Sequence, residues 1–231
     1  ELGKRGHRVI LVDRDEPGQG CSFGNSGALS PGSVVPLAMP GVLANVPRML
    51  VDPTSPLRVR LPYLPRALPW LARFAAAANA AAAARSAAKL FHLHVDAIAL
   101  HRALADDAKV PDLVLERGHL HLYRDRGALA RDAWAWNVRR QYGYVAEELD
   151  RDGIRALEPA VADAYTAAMY LPDHATIRNP LRYVQAIVAS FAGRGGDVRR
   201  ASVTRIEAAG SAWSLVTTAG PIACDAVVVA G

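Results

Sequence analysis

The sequence predicts an α/β fold: an incomplete Rossmann-like, nucleotide-binding domain interrupted by a second α+β domain with a mixed or antiparallel sheet. Three observations carry this. Arg8-Val-Ile-Leu-Val-Asp13 reads as a buried parallel strand that ends in an acid. Ala226-Val-Val-Val-Ala-Gly231 reads as another such strand closing the chain. Between them lie helices and alternating strands with no internal repeat. The expected boundaries give residues 1–45 and 180–231 to the nucleotide-binding domain and residues 46–179 to the inserted one.

Taken in order, Glu1 to Gly6 reads as the last turn of a helix, with Lys4 and Arg5 at its negative end and Gly6 as its left-handed cap. From Pro31 to Pro69 prolines recur so often that no long helix or central strand is expected, only short helices such as Gly41 to Leu50. Leu71 to Leu104 reads as helix, alanine-rich at first and then carrying an imperfect apolar stripe of Leu90, Phe91, Leu93, Ile98 and Leu104. Gly118 to Tyr123 alternates strictly and is the clearest half-buried strand. Arg126 to Tyr142 and Asp152 to Glu158 read as helices, the second stopped by Pro159, and Ala168 to Leu171 as a strand. Asn179-Pro180 is a helix start and Gly193 its end. Val203 to Glu207, Trp213 to Thr218 and Pro221 to Cys224 are strands separated by turn residues.

Composition narrows the function. At 231 residues and 51 % hydrophobic content, the chain can bury a substantial core. A net charge of +5 suits an anionic cofactor, a carboxylate substrate or a negatively charged membrane surface. Arg139-Arg140 and Arg199-Arg200 are isolated pairs rather than a basic stripe, so nucleic acid is not an expected partner. Cys21 and Cys224 match no metal spacing and fit a reducing, cytoplasmic setting. No apolar run reaches the roughly 18 residues of a membrane span.

Asp13 stands where an acid can accept hydrogen bonds from the ribose of an adenine dinucleotide, with Arg14 beside it to cover the adenine. A strand ending in a solvated charge explains Asp13 equally. The small residues of Ser22 to Ser30 leave main-chain N–H groups open to a ligand, and the flanking Phe23 and Leu29 argue that the loop packs inward. An ordinary polar turn is the alternative. The glycine turn that precedes such an acid by about twenty residues has no room before Asp13, so the expectation is a longer protein cut at its start.

His119, His121 and Tyr123 share one face of their strand and are candidates for lining a substrate cavity; a solvent-facing polar side of the sheet is the alternative. No third ligand accompanies the two histidines, and no metal is expected. His92, His94 and His101 read as surface or boundary residues of the helix, and the role of His174 is open. Leu43, Val46, Met49, Leu50, Leu61, Tyr63, Leu68, Trp70, Leu71 and Phe74, interspersed with Arg58, Arg60, Arg66 and Arg73, would pack two domains together, the favoured reading, or rest on a membrane.

Ser22-Phe-Gly-Asn-Ser-Gly-Ala-Leu-Ser-Pro31, Gly118-His-Leu-His-Leu-Tyr-Arg124, Leu149 to Pro159 and the closing valine strand resemble, in this order, the FAD-dependent D-amino-acid dehydrogenase family, within the wider group of FAD-dependent amine and amino-acid oxidoreductases. The resemblance implies FAD held by Asp13 and Arg14 at the adenosine, Cys21 and Ser22 at the pyrophosphate, Gly27, Ala28 and Leu29 at the flavin, Val203 at the adenine, and Ala230 and Gly231 alongside. It implies oxidation of a D-amino acid by hydride transfer to flavin N5, giving a 2-oxo acid and ammonia, with a quinone or another carrier as electron acceptor. The matching positions identify no catalytic side chain. A related enzyme of secondary amines such as sarcosine, proline or hydroxyproline is one alternative, and a non-catalytic fragment with a partial cofactor site is another. The expected setting is the cytoplasm of a bacterium, with possible peripheral contact at the inner membrane.

Overall fold

The computed structural model describes residues 1–51 and 60–230. Arg58, Gly231 and the part of the proline-rich stretch over residues 52–59 lie outside the described residues. In chain order the elements are β1 (Ile10–Asp13), β2 (Ala28–Leu29), α1 (Val42–Val51), α2 (Leu64–Ala77), α3 (Ala80–His94), α4 (Ala97–Asp107), β3 (Val114–Leu115) and β4 (His119–Tyr123). There follow α5 (Arg126–Arg131), α6 (Ala133–Gln141), β5 (Glu147–Asp150), α7 (Arg151–Leu157), β6 (Ala167–Leu171), β7 (Ala175–Ile177), α8 (Pro180–Gly193), β8 (Asp197–Arg200), β9 (Val203–Ala209), β10 (Ala212–Thr217) and β11 (Gly220–Cys224). They divide into two compact units.

The first unit comprises Glu1–Ala28, Leu100–Leu115 and Thr176–Gly231. Its opening turn is the one expected: a 3₁₀ helix over Gly3–Arg5 that Gly6 closes at φ 86°. β1 runs parallel to β8, with Ile10 opposite Asp197 and Asp13 opposite Arg200. The strand alternates between half-buried and exposed residues, so only one face is covered among the described residues. α8 starts as its sequence dictates, the Asn179 side chain accepting the Arg182 N–H at 3.0 Å and Pro180 occupying the first helical position. β9, β10 and β11 form an antiparallel sheet in the order β11-β10-β9.

One expected strand is missing. Residues 226–230 have no regular structure, and Val228 and Val229 are about three-quarters exposed. A valine run becomes a strand only where a neighbouring backbone takes up its N–H and C=O groups, and no described segment does so here.

The second unit comprises Leu29–Ala99 and Glu116–Ala175. The helix expected over residues 71–104 is three. α2 begins seven residues early because Pro65 sits in its first turn, where an amide hydrogen would have no helical partner. Pro69 costs the helix a single bond, so proline density did not exclude this element as expected. Asn79 then ends α2 and starts α3, its side chain accepting the Ala82 N–H at 3.0 Å. The helix expected over residues 126–142 is divided at Asp132 into α5 and α6, without a side-chain cap.

β6 is the centre of a sheet ordered β4-β6-β5, antiparallel throughout. His119, His121 and Tyr123 stand directly opposite Leu171, Met169 and Ala167 and share their face. That face packs against Leu129 and Trp136 of α5 and α6. A full burial of this kind contributes about 1.5–3 kcal/mol for each large apolar side chain. The histidine face of β4 is therefore a packed face, not the solvent side of the sheet. A second cluster joins Val34, Ala87 and Val138, flanked by Phe91, Tyr142 and Trp134.

Candidate functional site

In the first unit, Asp13 ends β1 at the carboxyl end of the parallel pair, exposed as a ribose ligand must be. One of its carboxylate oxygens accepts the Asp15 N–H at 3.1 Å, which turns the chain out of the strand. Arg14 is largely exposed, with its Nε 3.2 Å from Asp15. Beside it, Arg200 of β8 donates to the Arg14 carbonyl and pairs with Glu16.

The loop after β1 is ordered by Asn25. Its amide nitrogen donates to the Cys21 carbonyl at 3.2 Å, and its oxygen accepts the Gly27 N–H at 2.8 Å. Gly27 has φ +64°, and a Cβ there would lie 2.2 Å from the Ile177 carbonyl oxygen. Ile177 in turn donates to the Gly27 carbonyl at 2.7 Å. The glycine is thus required by the close approach of β7, and its N–H is already occupied. Phe23 is exposed, contrary to the inward packing expected of it, whereas Leu29 is buried. The loop needs only one such anchor, because Asn25 holds the rest. Cys21 and Ala28 are exposed and Ser22 is half-buried; both cysteines are free thiols. Val203 begins β9 opposite Thr217 at an irregularity in the sheet, and Ala230 is exposed. Asp13, Arg14, Cys21 and Ser22 thus offer accessible polar groups suited to the adenosine and pyrophosphate of a dinucleotide, whereas Gly27 is occupied by the protein itself.

The second unit contains a polar cluster built on β4. His119 Nε2 lies 2.8 Å from the Ala175 carbonyl, which can only accept, so the proton is on Nε2. Nδ1 is then left to accept from the Ser30 hydroxyl at 3.1 Å. The His119 ring meets that of His174 edge-on, centroids 5.1 Å apart. His174 is 1 % exposed. Its Nε2 accepts the Gly32 N–H at 3.3 Å, and its Nδ1 is buried without a partner among the described residues. Burial above all, helped by His119, His121 and Arg139, pushes its pKa down to about 4.

Gly32 also receives Arg139, whose Nε donates to the Gly32 carbonyl at 3.2 Å. The guanidinium lies 4.4 Å over the Trp136 ring. His121 meets the same ring edge-on at 5.2 Å, and burial holds its pKa below the ordinary value. Tyr123 is saturated: its hydroxyl donates to Asp132 at 2.7 Å and accepts Trp136 Nε1–H at 2.9 Å. Burial and the Asp132 bond push it up to about 12. Tyr144 completes the cluster with a buried hydroxyl that has no partner among the described residues.

Of the sequence candidates, His119, His121 and Tyr123 are brought together. His174, Arg139, Tyr144 and Ser30 join them without having been singled out as site residues. The neighbours Gly32 and His174 are 142 positions apart, and no local pattern records their contact.

A family model described as FAD dependent oxidoreductase matches residues 1–231. A D-amino-acid oxidase of Bradyrhizobium diazoefficiens is 38 % identical over 100 % of this chain and 55 % of its own length. D-amino acid dehydrogenase 2 of Ralstonia nicotianae is 40 % identical over 74 % of this chain and 42 % of its own. The chain spans about half the length of the curated relatives it matches. Glycine oxidase from Bacillus cereus superposes with a TM-score of 0.62 at 18 % identity, covering 100 % of this chain and 51 % of that one. The L-amino acid deaminase from Proteus vulgaris does so at 0.61 and 13 %, covering 100 % and 43 %. These two likenesses establish the fold.

Proposed function

The chain belongs to the FAD-dependent oxidoreductase family, and from that premise we propose that it forms part of an enzyme oxidising D-amino acids to 2-oxo acids and ammonia. The names of the relatives at 38 % and 40 % identity favour the D-amino-acid class over the secondary amines. The observation that carries the reading is Asp13, an exposed carboxylate at the carboxyl end of a parallel strand pair.

Asp13 and Arg14 would hold the adenosine of FAD, and Cys21 and Ser22 would approach its pyrophosphate. Gly27, Ala28 and Leu29 would lie toward the flavin, with Gly27 acting by fixing the loop rather than through its own N–H. Val203, Ala230 and Gly231 would border the cofactor, and His119 and His121 would line the substrate side; Tyr123, whose hydroxyl is taken up by Asp132 and Trp136, would not contact the substrate. When bound, FAD supplies the two-electron oxidation of the C–N bond. The protein's part is to orient the amine and exclude water. A quinone or a comparable carrier would accept the electrons.

Among the described residues no helix is long and apolar enough to cross a membrane. We place the enzyme in the cytoplasm, in peripheral contact with the inner membrane through α2.

The test uses the full-length protein that contains this segment, purified with its flavin. Anaerobic addition of D-alanine should bleach the flavin absorbance, while sarcosine and L-alanine should not. Bleaching by sarcosine alone would replace this reading with the secondary-amine one, and indifference to all three would end both.

A further inference from the structure

The register of the parallel strand pair creates a conflict at the proposed ribose ligand. Asp13 of β1 stands directly opposite Arg200 of β8. Neighbouring strands pleat in step, so the two side chains rise from the same face of the sheet. Leu11 and Val198, two residues back in each strand, share that face and are exposed like them. A carboxylate and a guanidinium side by side on an open face attract each other, and a pair between them would occupy the oxygens that a ribose needs.

That pair is not made. Among the described residues the Asp13 carboxylate has no ion pair, and its one side-chain bond is from the Asp15 N–H at 3.1 Å. Arg200 turns along the chain instead. Its Nη1 meets Glu16 Oε1 at 2.9 Å, and its Nε donates to the Arg14 carbonyl at 3.3 Å. Both acceptors belong to the turn that follows Asp13. Arg14, the other cation beside Asp13, is likewise engaged by an acid of that turn, its Nε 3.2 Å from Asp15. Each of these two arginines thus has an acid of its own, and the Asp13 carboxylate is left open.

We propose that Glu16 is a positioning residue of the cofactor site: by engaging Arg200 it keeps that guanidinium off Asp13 and leaves the carboxylate free to accept the ribose hydroxyls of FAD. This rests on the reading of Asp13 as the ribose ligand. It also gives Glu16 the opposite sign from its bare charge. An acid near an anionic dinucleotide repels it, whereas Glu16 in this role strengthens binding.

The experiment compares the full-length flavoprotein with its Glu16→Gln, Arg200→Gln and doubly substituted variants, reading the FAD dissociation constant from flavin fluorescence. Glu16→Gln releases Arg200 onto Asp13 and should weaken FAD about 2- to 5-fold, the worth of an exposed ion pair. The loss should shrink as salt screens the new pair. Arg200→Gln alone should stay within about 2-fold of the wild type, and combined with Glu16→Gln it should restore wild-type affinity. A pair that only ties the turn to β8 gives another pattern: each single variant weakens FAD, and the double variant is no better. Both side chains are exposed, so all three variants should melt close to the wild type. Tighter FAD binding by Glu16→Gln, or no recovery in the double variant, would overturn the proposal. Asp13→Ala separates this inference from the reading beneath it. If Asp13→Ala leaves FAD affinity unchanged, the cofactor assignment itself falls. If Asp13→Ala weakens FAD and Glu16→Gln does not, only the role of Glu16 falls.

Discussion

His174 accepts the Gly32 N–H on Nε2 at 3.3 Å, which places its proton on Nδ1, buried and unmet. The imidazole is therefore built to remain neutral. Its folded pKa of about 4 lies below the unfolded value near 6.5, so between these values the unfolded chain binds the extra proton. Stability is complete above about pH 6.5 and falls as the pH drops toward 4. From pH 6.5 to 5 the loss should be on the order of 2 kcal/mol, with His121 acting in the same direction. Thermal melts across that range should show the decline, and His174→Asn, whose amide oxygen can still accept from Gly32, should flatten it. An equal slope in both proteins would rule out His174 as the cause.

Asp13→Ala should weaken FAD about 10- to 100-fold, because a carboxylate bonded to ribose hydroxyls contributes charge-assisted hydrogen bonds. Fluorescence of released flavin during dialysis measures this directly. The fold should persist, since Asp13 is exposed and its one described side-chain bond is to the adjacent turn. Unchanged retention of flavin would remove Asp13 from the cofactor site.

What could be read in the sequence follows the range of the forces involved. β1, β4, β6, α8 and the three closing strands announce themselves by local period and capping, and so does Asp13 at the end of its strand. The division at Asn79 was missed because a single side-chain cap competes poorly with a long helical pattern, and that at Asp132, whose carboxylate is bound to Tyr123 and caps no helix, leaves no local mark. β5, Glu147–Asp150, is three acids and a leucine, and pairing with β6 makes it a strand. The cluster of His174, Gly32 and Arg139 depends on contacts between distant positions, which no period encodes. Residues 226–230 show the converse: a strong local preference without a partner gives no strand.

Gly27→Ala should be severely destabilising. The new Cβ would meet the Ile177 carbonyl oxygen at 2.2 Å, a backbone atom that cannot swing aside, at a backbone angle that L-residues rarely adopt. A loss of about 3 kcal/mol or more is expected, seen as a large fall in denaturation midpoint. Gly20→Ala, in the same loop with open space around it, provides the contrast and should be nearly silent.

Tyr123→Phe removes one hydroxyl that satisfies two buried or half-buried groups. Asp132 loses its donor and Trp136 its acceptor, so stability should fall by about 1–3 kcal/mol. Because that hydroxyl is already saturated, KM for D-alanine should remain near the wild-type value. A KM that rises with no change in melting temperature would instead assign Tyr123 to the substrate.

α2 presents Leu68, Trp70 and Leu71 to solvent, with Trp70 stacked on Phe74 at 5.2 Å. Arg66 and Arg73 on the same helix are exposed, and the sequence holds no acid between Asp52 and Asp96. Apolar side chains edged by arginine, with no carboxylate to repel lipid phosphates, suit an anionic bilayer surface, each basic residue contributing about 1 kcal/mol near it. The full-length protein should co-sediment with vesicles containing phosphatidylglycerol, much less with pure phosphatidylcholine, and binding should weaken as salt rises. Trp70→Glu should abolish sedimentation with only a small fall in melting temperature, because Trp70 is mostly in water and loses only its stacking on Phe74. If the variant instead unfolds or aggregates, α2 is covered within the whole protein, and the exposed face is a packing surface rather than a membrane contact.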